Sequence, residues 1–361
     1  MTNISRISIG QQTRDYSSAP VRIQKEGKQE TPVMSGDQVI LGQADKSESI
    51  IKTSFHESET CRIGKGYDRN FLGDDVLLPL PEPTGPAADQ VLDIDGKGKK
   101  VRDYTHFSIV MHKDRKMAMF TANNIDGNQL RTDIGRSKWK IDDVVGEKNQ
   151  LGPYVYKNNP LDRGHLVRRI DVVWGDKRTA QIANSDTFHY TNAVPQHSNL
   201  NQKKWLDLED WLLNNAANKK KKVSVFTGPV LRENDKKYRG AQIPEDFWKI
   251  IILRKEKGEL VAAGFMMSQK NMIGKLREEE GQKQQRDVPT EEIAPYQVTL
   301  ESIEKMTNLD FGDLKDADAY SIYKTRQEQP FTITSDGRLL AKEASQGEER
   351  HYIHSAQDII I

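Results

Sequence analysis

Hydrophobic and polar positions change rhythm along the chain, and the changes mark its organisation. Residues 1 to about 60 are rich in Ser, Gln, Lys, Asp and Gly, with only short apolar runs such as Val39-Ile40-Leu41. Such a stretch cannot bury enough apolar surface to form a core alone, so it reads as a flexible or partner-dependent N-terminal extension. The texture shifts near Gly66-Tyr67-Asp68. From Asn70 to Pro83, apolar residues alternate with prolines as an ordered loop would.

Strand signals begin after Tyr104. His106 to Met111 and Lys116 to Phe120 flank the polar turn His112-Lys113-Asp114-Arg115, a hairpin pattern, and Asn123 to Gly127 closes the second strand. Val223 to Phe226, Phe247 to Leu253 and Leu260 to Met266 are three further strands, the last two joined by a charged turn. Hairpin spacing of this kind predicts an antiparallel or mixed sheet rather than repeated parallel crossovers.

Helical periodicity appears twice. Between Asn201 and Ala217, residues Trp205, Leu208, Leu212 and Ala216 fall at three- to four-residue spacing, and Lys219 to Lys222 follow as a cationic run suited to a helix C-terminus. Thr299 to Met306 has Thr299 as N-cap and Leu300, Ile303 and Met306 on one face. Ser268 to Ile293 is dense in Lys, Glu, Gln and Arg and reads as a surface insertion, partly helical. The fold class expected is α+β, a mixed or antiparallel central sheet flanked by helices.

Composition adds exclusions. The 361 residues are 35% hydrophobic and 30% charged, and 54 Lys and Arg against 53 Asp and Glu leave a formal charge of +1. Cys61 is the sole cysteine, which excludes an intramolecular disulfide framework and any four-cysteine zinc site. Balanced charge argues against bulk electrostatic capture of nucleic acid, though not against a locally basic site. No stretch approaches the roughly 20 apolar residues of a membrane helix, and the N-terminus lacks the apolar core of a secretory signal. The expectation is a cytoplasmic protein with no membrane contact, secreted or organellar instead if a presequence has been removed.

Two blocks carry chemistry. In Leu161-Asp162-Arg163-Gly164-His165-Leu166-Val167-Arg168-Arg169, a histidine follows an arginine across a glycine that lets the backbone turn tightly. Imidazole can take a proton from water near neutral pH, and guanidiniums suit phosphate. Asp186 to Gln202 runs into the first helix. Glu209 lies eight residues beyond Asn201, about 80° around the axis, so both can look to one side. An amide oxygen and a carboxylate are hard ligands that suit magnesium, which keeps several waters.

Asp162-Arg163-Gly164-His165, Thr191-Asn192, Pro195-Gln196, Leu200-Asn201-Gln202, Trp205 and Leu208-Glu209 together resemble the DNA/RNA non-specific endonuclease family, the ββα-metal or His-Me finger nucleases. The resemblance extends from Gly66-Tyr67-Asp68-Arg69-Asn70-Phe71-Leu72-Gly73 through His106-Phe107-Ser108 to Met306-Thr307-Asn308-Leu309-Asp310-Phe311. It implies a catalytic domain over 61–325, with the insertion at about 268–293, the extension over 1–60, and a C-terminal extension over 326–361.

The same resemblance implies a magnesium-dependent endonuclease acting on DNA and RNA with little sequence preference. His165 is then the general base. Asn201 is the direct magnesium ligand, and Glu209 reaches the metal through one of its waters. Arg163 supports phosphate and loop geometry, and Asn192 holds the site, or His165 itself, in shape. Arg168 and Arg136 are further phosphate contacts. The family sets its upstream arginine in an Arg–x–Trp context, and Arg136-Ser137-Lys138-Trp139 is one residue longer, so Arg131 stays open as the alternative.

Manganese is the alternative ion. A homodimer is expected because relatives often pair, and an inhibitor or activating partner because an unrestrained nuclease would damage its own cell. Against these stand a narrower phosphodiesterase and a catalytically silent nucleic-acid-binding module. His106, His189, His197, Phe188, Trp205 and Trp211 are read as structural, the Lys219 to Lys222 run as a solvated helix end, and Cys61 as inert.

Overall fold

The computed structural model describes residues 63–201, 210, 221–274, 276, 295–327, 331–333, 339–341, 351–353 and 356–361. The N-terminal extension with Cys61, most of the helix expected over Asn201–Ala217 with Trp205, Glu209 and Trp211, and most of the charged insertion lie outside the described residues.

An eight-stranded sheet organises the rest. Its strands are β1 (Val101–Asp103), β2 (Phe107–His112), β3 (Met117–Asp126), β6 (Lys222–Val230), β9 (Asp246–Arg254), β10 (Leu260–Ser268), β11 (Tyr296–Val298) and β12 (His351–Tyr352). Outside the sheet, β4 (Leu161–His165) pairs with β5 (Ala193–His197), and β7 (Lys236–Tyr238) with β8 (Ala241–Ile243). The spatial order in the sheet is β12-β11-β10-β9-β6-β3-β2-β1, every neighbouring pair antiparallel. With its flanking helices this is the expected α+β architecture.

Both faces of the sheet are buried, which explains why Ile250-Ile251-Ile252 carries no polar alternation. On one face Trp248, Ile250 and Ile252 pack with Phe71, Leu72, Leu78 and with Leu300 and Ile303 of a helix over Leu300–Thr307. Thr299 caps that helix by accepting the Ser302 amide, and Asn308 closes it in the left-handed conformation. On the opposite face Phe247 and Ile251 pack with Leu161, Leu166, Val167, Ala193 and Val194, the segment that carries the arginine–glycine–histidine block. The sheet is therefore a floor, and the paired strands β4 and β5 lie on it.

Three local readings change. Ser268 ends β10, and the next turn, Lys270–Ile273, is helical with Met272 and Ile273 buried, so the charged insertion starts later than 268. Lys222 opens β6 rather than ending a helix, and its ammonium sits 5.0 Å from the Phe71 ring centre. At the C-terminus, Ile353 is buried and Ile359 and Ile361 pack on the core. Gln297 donates to the Ile360 carbonyl (2.8 Å) and accepts its amide (3.0 Å), so the C-terminal residues are tied to β11. No helix among the described residues is long and apolar enough to cross a membrane.

Candidate active site

Five residues of the arginine–glycine–histidine block are a strand rather than a turn. β4 pairs with β5 in the register Leu161↔His197 to His165↔Ala193. Gly164 does not have a positive φ; a Cβ there would lie 2.0 Å from Gln196 Oε1, so glycine is needed because the Gln196 side chain crosses the strand. Alternation along β4 puts Arg163 and His165 on one face.

Immediately after His165 the chain turns, and Asn192 fixes that turn. Leu166 donates its amide to the Asn192 carbonyl at 3.1 Å, and Val167 donates to Asn192 Oδ1 at 2.9 Å. Asn192 Nδ2 donates to the Val167 and Thr187 carbonyls, each at 3.0 Å. Asn192 is fully buried, and it braces the backbone beside His165 rather than the imidazole. Its neighbour Thr191 shares a 2.6 Å hydrogen bond with the Tyr104 hydroxyl, which also donates to Asp142. Arg102 donates to the same carboxylate at 2.8 Å. Burial works to raise the Asp142 pKa, but the bonds from Tyr104 and Arg102 prevail and hold it low.

The segment before this network is stitched alongside. Lys140 donates to the Phe188 carbonyl (2.9 Å) and Tyr190 to the Lys140 carbonyl (3.0 Å). This places Trp139 against His165, with ring centres 4.6 Å apart, and Phe188 edge-on at 5.0 Å. His165 Nε2 is buried and has no hydrogen-bond partner. The residue as a whole is half-buried. Burial pushes the His165 pKa from its ordinary 6.5 down to about 3, and the charges of Arg136 and Arg169 act in the same direction. The imidazole is neutral at neutral pH.

Each arginine has a different setting. Arg136 is exposed, 5.7 Å over the Phe188 ring, and its charge acts on His165. Arg131 is instead held in a surface pair with Asp133 at 3.0 Å. Arg169 donates to the Ile134 carbonyl at 3.1 Å, and its pKa is lowered by burial and by Arg136 and Arg168. Arg168 is ion-paired to Asp210. Arg163 donates Nε to the Tyr190 hydroxyl at 3.1 Å and lies over the Tyr156 and Tyr190 rings. Around one neutral histidine there is thus a crowded positive field without a carboxylate among the groups that shift its pKa.

His106, His189 and His197 are engaged structurally. His106 stacks on Trp174 with ring centres 3.4 Å apart, and its Nδ1 meets the Val172 carbonyl at 2.9 Å. His189 Nδ1 meets the Asp186 carbonyl at 2.9 Å, and burial lowers its pKa. His197 is buried, with the same effect. Trp139 and Tyr190 shape the site although sequence reasoning assigned them nothing. Their signal was present, since Trp139 follows Arg136 by three residues and Tyr190 lies inside the second motif block.

Comparison with known proteins decides the family: a profile described as DNA/RNA non-specific endonuclease matches residues 90–318. The chain belongs to the DNA/RNA non-specific endonuclease family. Curated relatives include an uncharacterized protein of Sinorhizobium fredii, 35% identical over 71% of this chain and 40% of its own length. Human mitochondrial endonuclease G is 26% identical over 54% of this chain and 63% of its own. A nuclease of Serratia marcescens is 27% identical over 47% and 59%. The chain thus spans less than two thirds of the length of these relatives.

For a divalent metal, the donor chemistry expected of this endonuclease family can be tested against the geometry. Among the described residues no group of three or more His, Cys, Asp or Glu could hold an ion. A hard cation that keeps most of its waters needs no such group. The helical turn Ser198–Asn201 continues directly from β5 and packs on both β4 and β5, so the backbone of Asn201 belongs to the element beside His165. Asn201 carries an amide oxygen, a hard donor of the kind a mostly hydrated magnesium ion takes.

Proposed function

We propose that the chain is an endonuclease hydrolysing phosphodiester bonds of DNA and RNA with little sequence preference, through the His165 site. The observation that carries this reading is His165 itself, desolvated by Trp139 and Phe188, without a hydrogen bond from Nε2, and set against Arg136 and Arg169. A neutral base in a positive field suits an anionic substrate whose attacking water must lose a proton.

In the proposed reaction, water attacks phosphorus in line with the leaving oxygen and gives its proton to His165. Arg136 and Arg169 stabilise the charge that builds on the non-bridging phosphoryl oxygens. Arg168 joins them on exchanging Asp210 for phosphate. Arg163, held by Tyr190, positions the strand face from which His165 projects, and Asn192 fixes the turn behind it. Asn201 and Glu209 would hold magnesium, directly and through water respectively, and the ion when bound would supply Lewis-acid stabilisation of the leaving oxygen. Contacts confined to phosphate leave base sequence unread.

Plasmid, single-stranded DNA and RNA, each incubated with and without chelator, test this reading alongside His165→Ala and Asn201→Ala. Loss of all cleavage in chelator and in both variants is expected. Cleavage of a single polymer would favour the narrower phosphodiesterase, and intact substrates throughout would sink the nuclease. Homodimerisation and restraint by residues 1–60 or an inhibitor belong to the same proposal. Sedimentation of the full chain and turnover of a version starting near Arg62 read them directly.

A further inference from the structure

The aromatic wall of His165 does not stop at Trp139. Trp139 lies 5.6 Å from Tyr190, and Tyr190 6.2 Å from Tyr156, with the Arg163 guanidinium over both tyrosines. Tyr156 ends a 3-10 turn, Pro153–Tyr156, that also carries Tyr154. Tyr190 and Tyr156 are buried, whereas Tyr154 is 67% exposed, the most exposed large hydrophobic side chain among the described residues.

Tyr154 is exposed but not loose. β7 and β8 are joined by Arg239-Gly240, with φ of 49° and 76°. Left-handed geometry at both central residues is where Asn and Gly are favoured, so an arginine there is retained against its backbone preference. Its guanidinium explains the retention. Nη1 donates to the Tyr154 carbonyl at 3.3 Å and to the Lys157 carbonyl, and the charge lies 5.5 Å from the Tyr154 ring centre and 5.2 Å from that of Tyr238. Arg239 therefore locks the turn and backs one face of the Tyr154 ring.

We propose that Tyr154, backed by Arg239, is a stacking subsite for an unpaired base of a bound polynucleotide, a few nucleotides from the bond cut at His165. This rests on the nuclease reading for the presence of a polynucleotide at His165. A rigid, solvent-facing ring flanked by positive charge is the arrangement that stacks bases without reading their identity. A base inside a duplex is covered on both faces, so the subsite selects single strands. It adds affinity away from the scissile phosphate and acts on binding rather than on proton transfer.

Fluorescence anisotropy of the full chain, in chelator so that nothing is cut, tests the subsite on single-stranded DNA of about 12 nucleotides, a length such sites occupy. Tyr154→Ala should weaken binding about tenfold, the loss of one base stack. Tyr154→Phe should bind as the wild type does, and duplex of equal length should bind both variants alike. The proposal is overturned if the wild type does not bind the single strand, if Tyr154→Ala binds it unchanged, if Phe is as damaging as Ala, or if duplex binding falls equally. Plasmid cleavage measured in parallel reads the other claim. Tyr154-dependent binding without cleavage would support the subsite and refute the nuclease.

Discussion

The indole of Trp139 lies 4.6 Å from the imidazole of His165, tilted by 47°, and shields the histidine that the site is built around. Burial is the largest cause of the low His165 pKa, and this contact is part of that burial. Trp139→Ala should therefore raise the His165 pKa from about 3 toward the ordinary 6.5. Two-dimensional NMR of the imidazole protons would show neutral His165 at pH 5 in the wild type. An onset of protonation there is expected in the variant.

The same shift bears on stability. A histidine whose folded pKa is depressed lets the unfolded chain bind a proton that the folded chain refuses. The penalty is absent above the unfolded value of 6.5 and grows as pH falls toward about 3. His165→Gln should remove it. Urea midpoints measured from pH 7 to pH 4 should fall less steeply for the variant than for the wild type.

Asn192 makes five hydrogen bonds in a fully buried position, two of them with Val167 in the turn after His165. Asn192→Ala leaves the Val167 amide without its acceptor and should cost about 2–3 kcal/mol in chemical denaturation. Cleavage should fall through misplacement of His165. A variant as stable as the wild type would remove the bracing role.

Gly164 and Gln196 form a matched pair across β4 and β5. Gly164→Ala brings a Cβ within 2.0 Å of Gln196 Oε1 and should destabilise by about 1–3 kcal/mol. Adding Gln196→Ala should restore most of that loss, a coupling that a double-mutant cycle measures. Additive losses would place the strain elsewhere.

Much of this arrangement was legible in the sequence, for physical reasons that differ by element. Five sheet strands and the capped helix over Leu300–Thr307 follow from local periodicity and from Thr299, signals contained within a few residues. β4 was not legible as a strand, because Asp162-Arg163-Gly164-His165 has no apolar alternation. Its strand character comes from pairing with β5 almost 30 residues away. The Tyr104–Asp142–Thr191 network spans still greater separations and leaves no local trace. Motif spacing pointed to His165, Arg163 and Asn192 and marked Trp139 only as a neighbour of Arg136; its contact with His165 depends on the chain crossing at Lys140 and Phe188. Neutral overall charge said little about a site where Arg136, Arg168 and Arg169 converge, since carboxylates elsewhere cancel the total.

The central claim is that His165 takes the proton from the attacking water. The most direct measurement is kcat/KM for plasmid cleavage in magnesium by His165→Ala beside the wild type, with circular dichroism confirming the fold of both. Removal of a general base predicts a loss of about 10²–10⁴-fold. A folded His165→Ala protein that cuts at the wild-type rate would contradict the account.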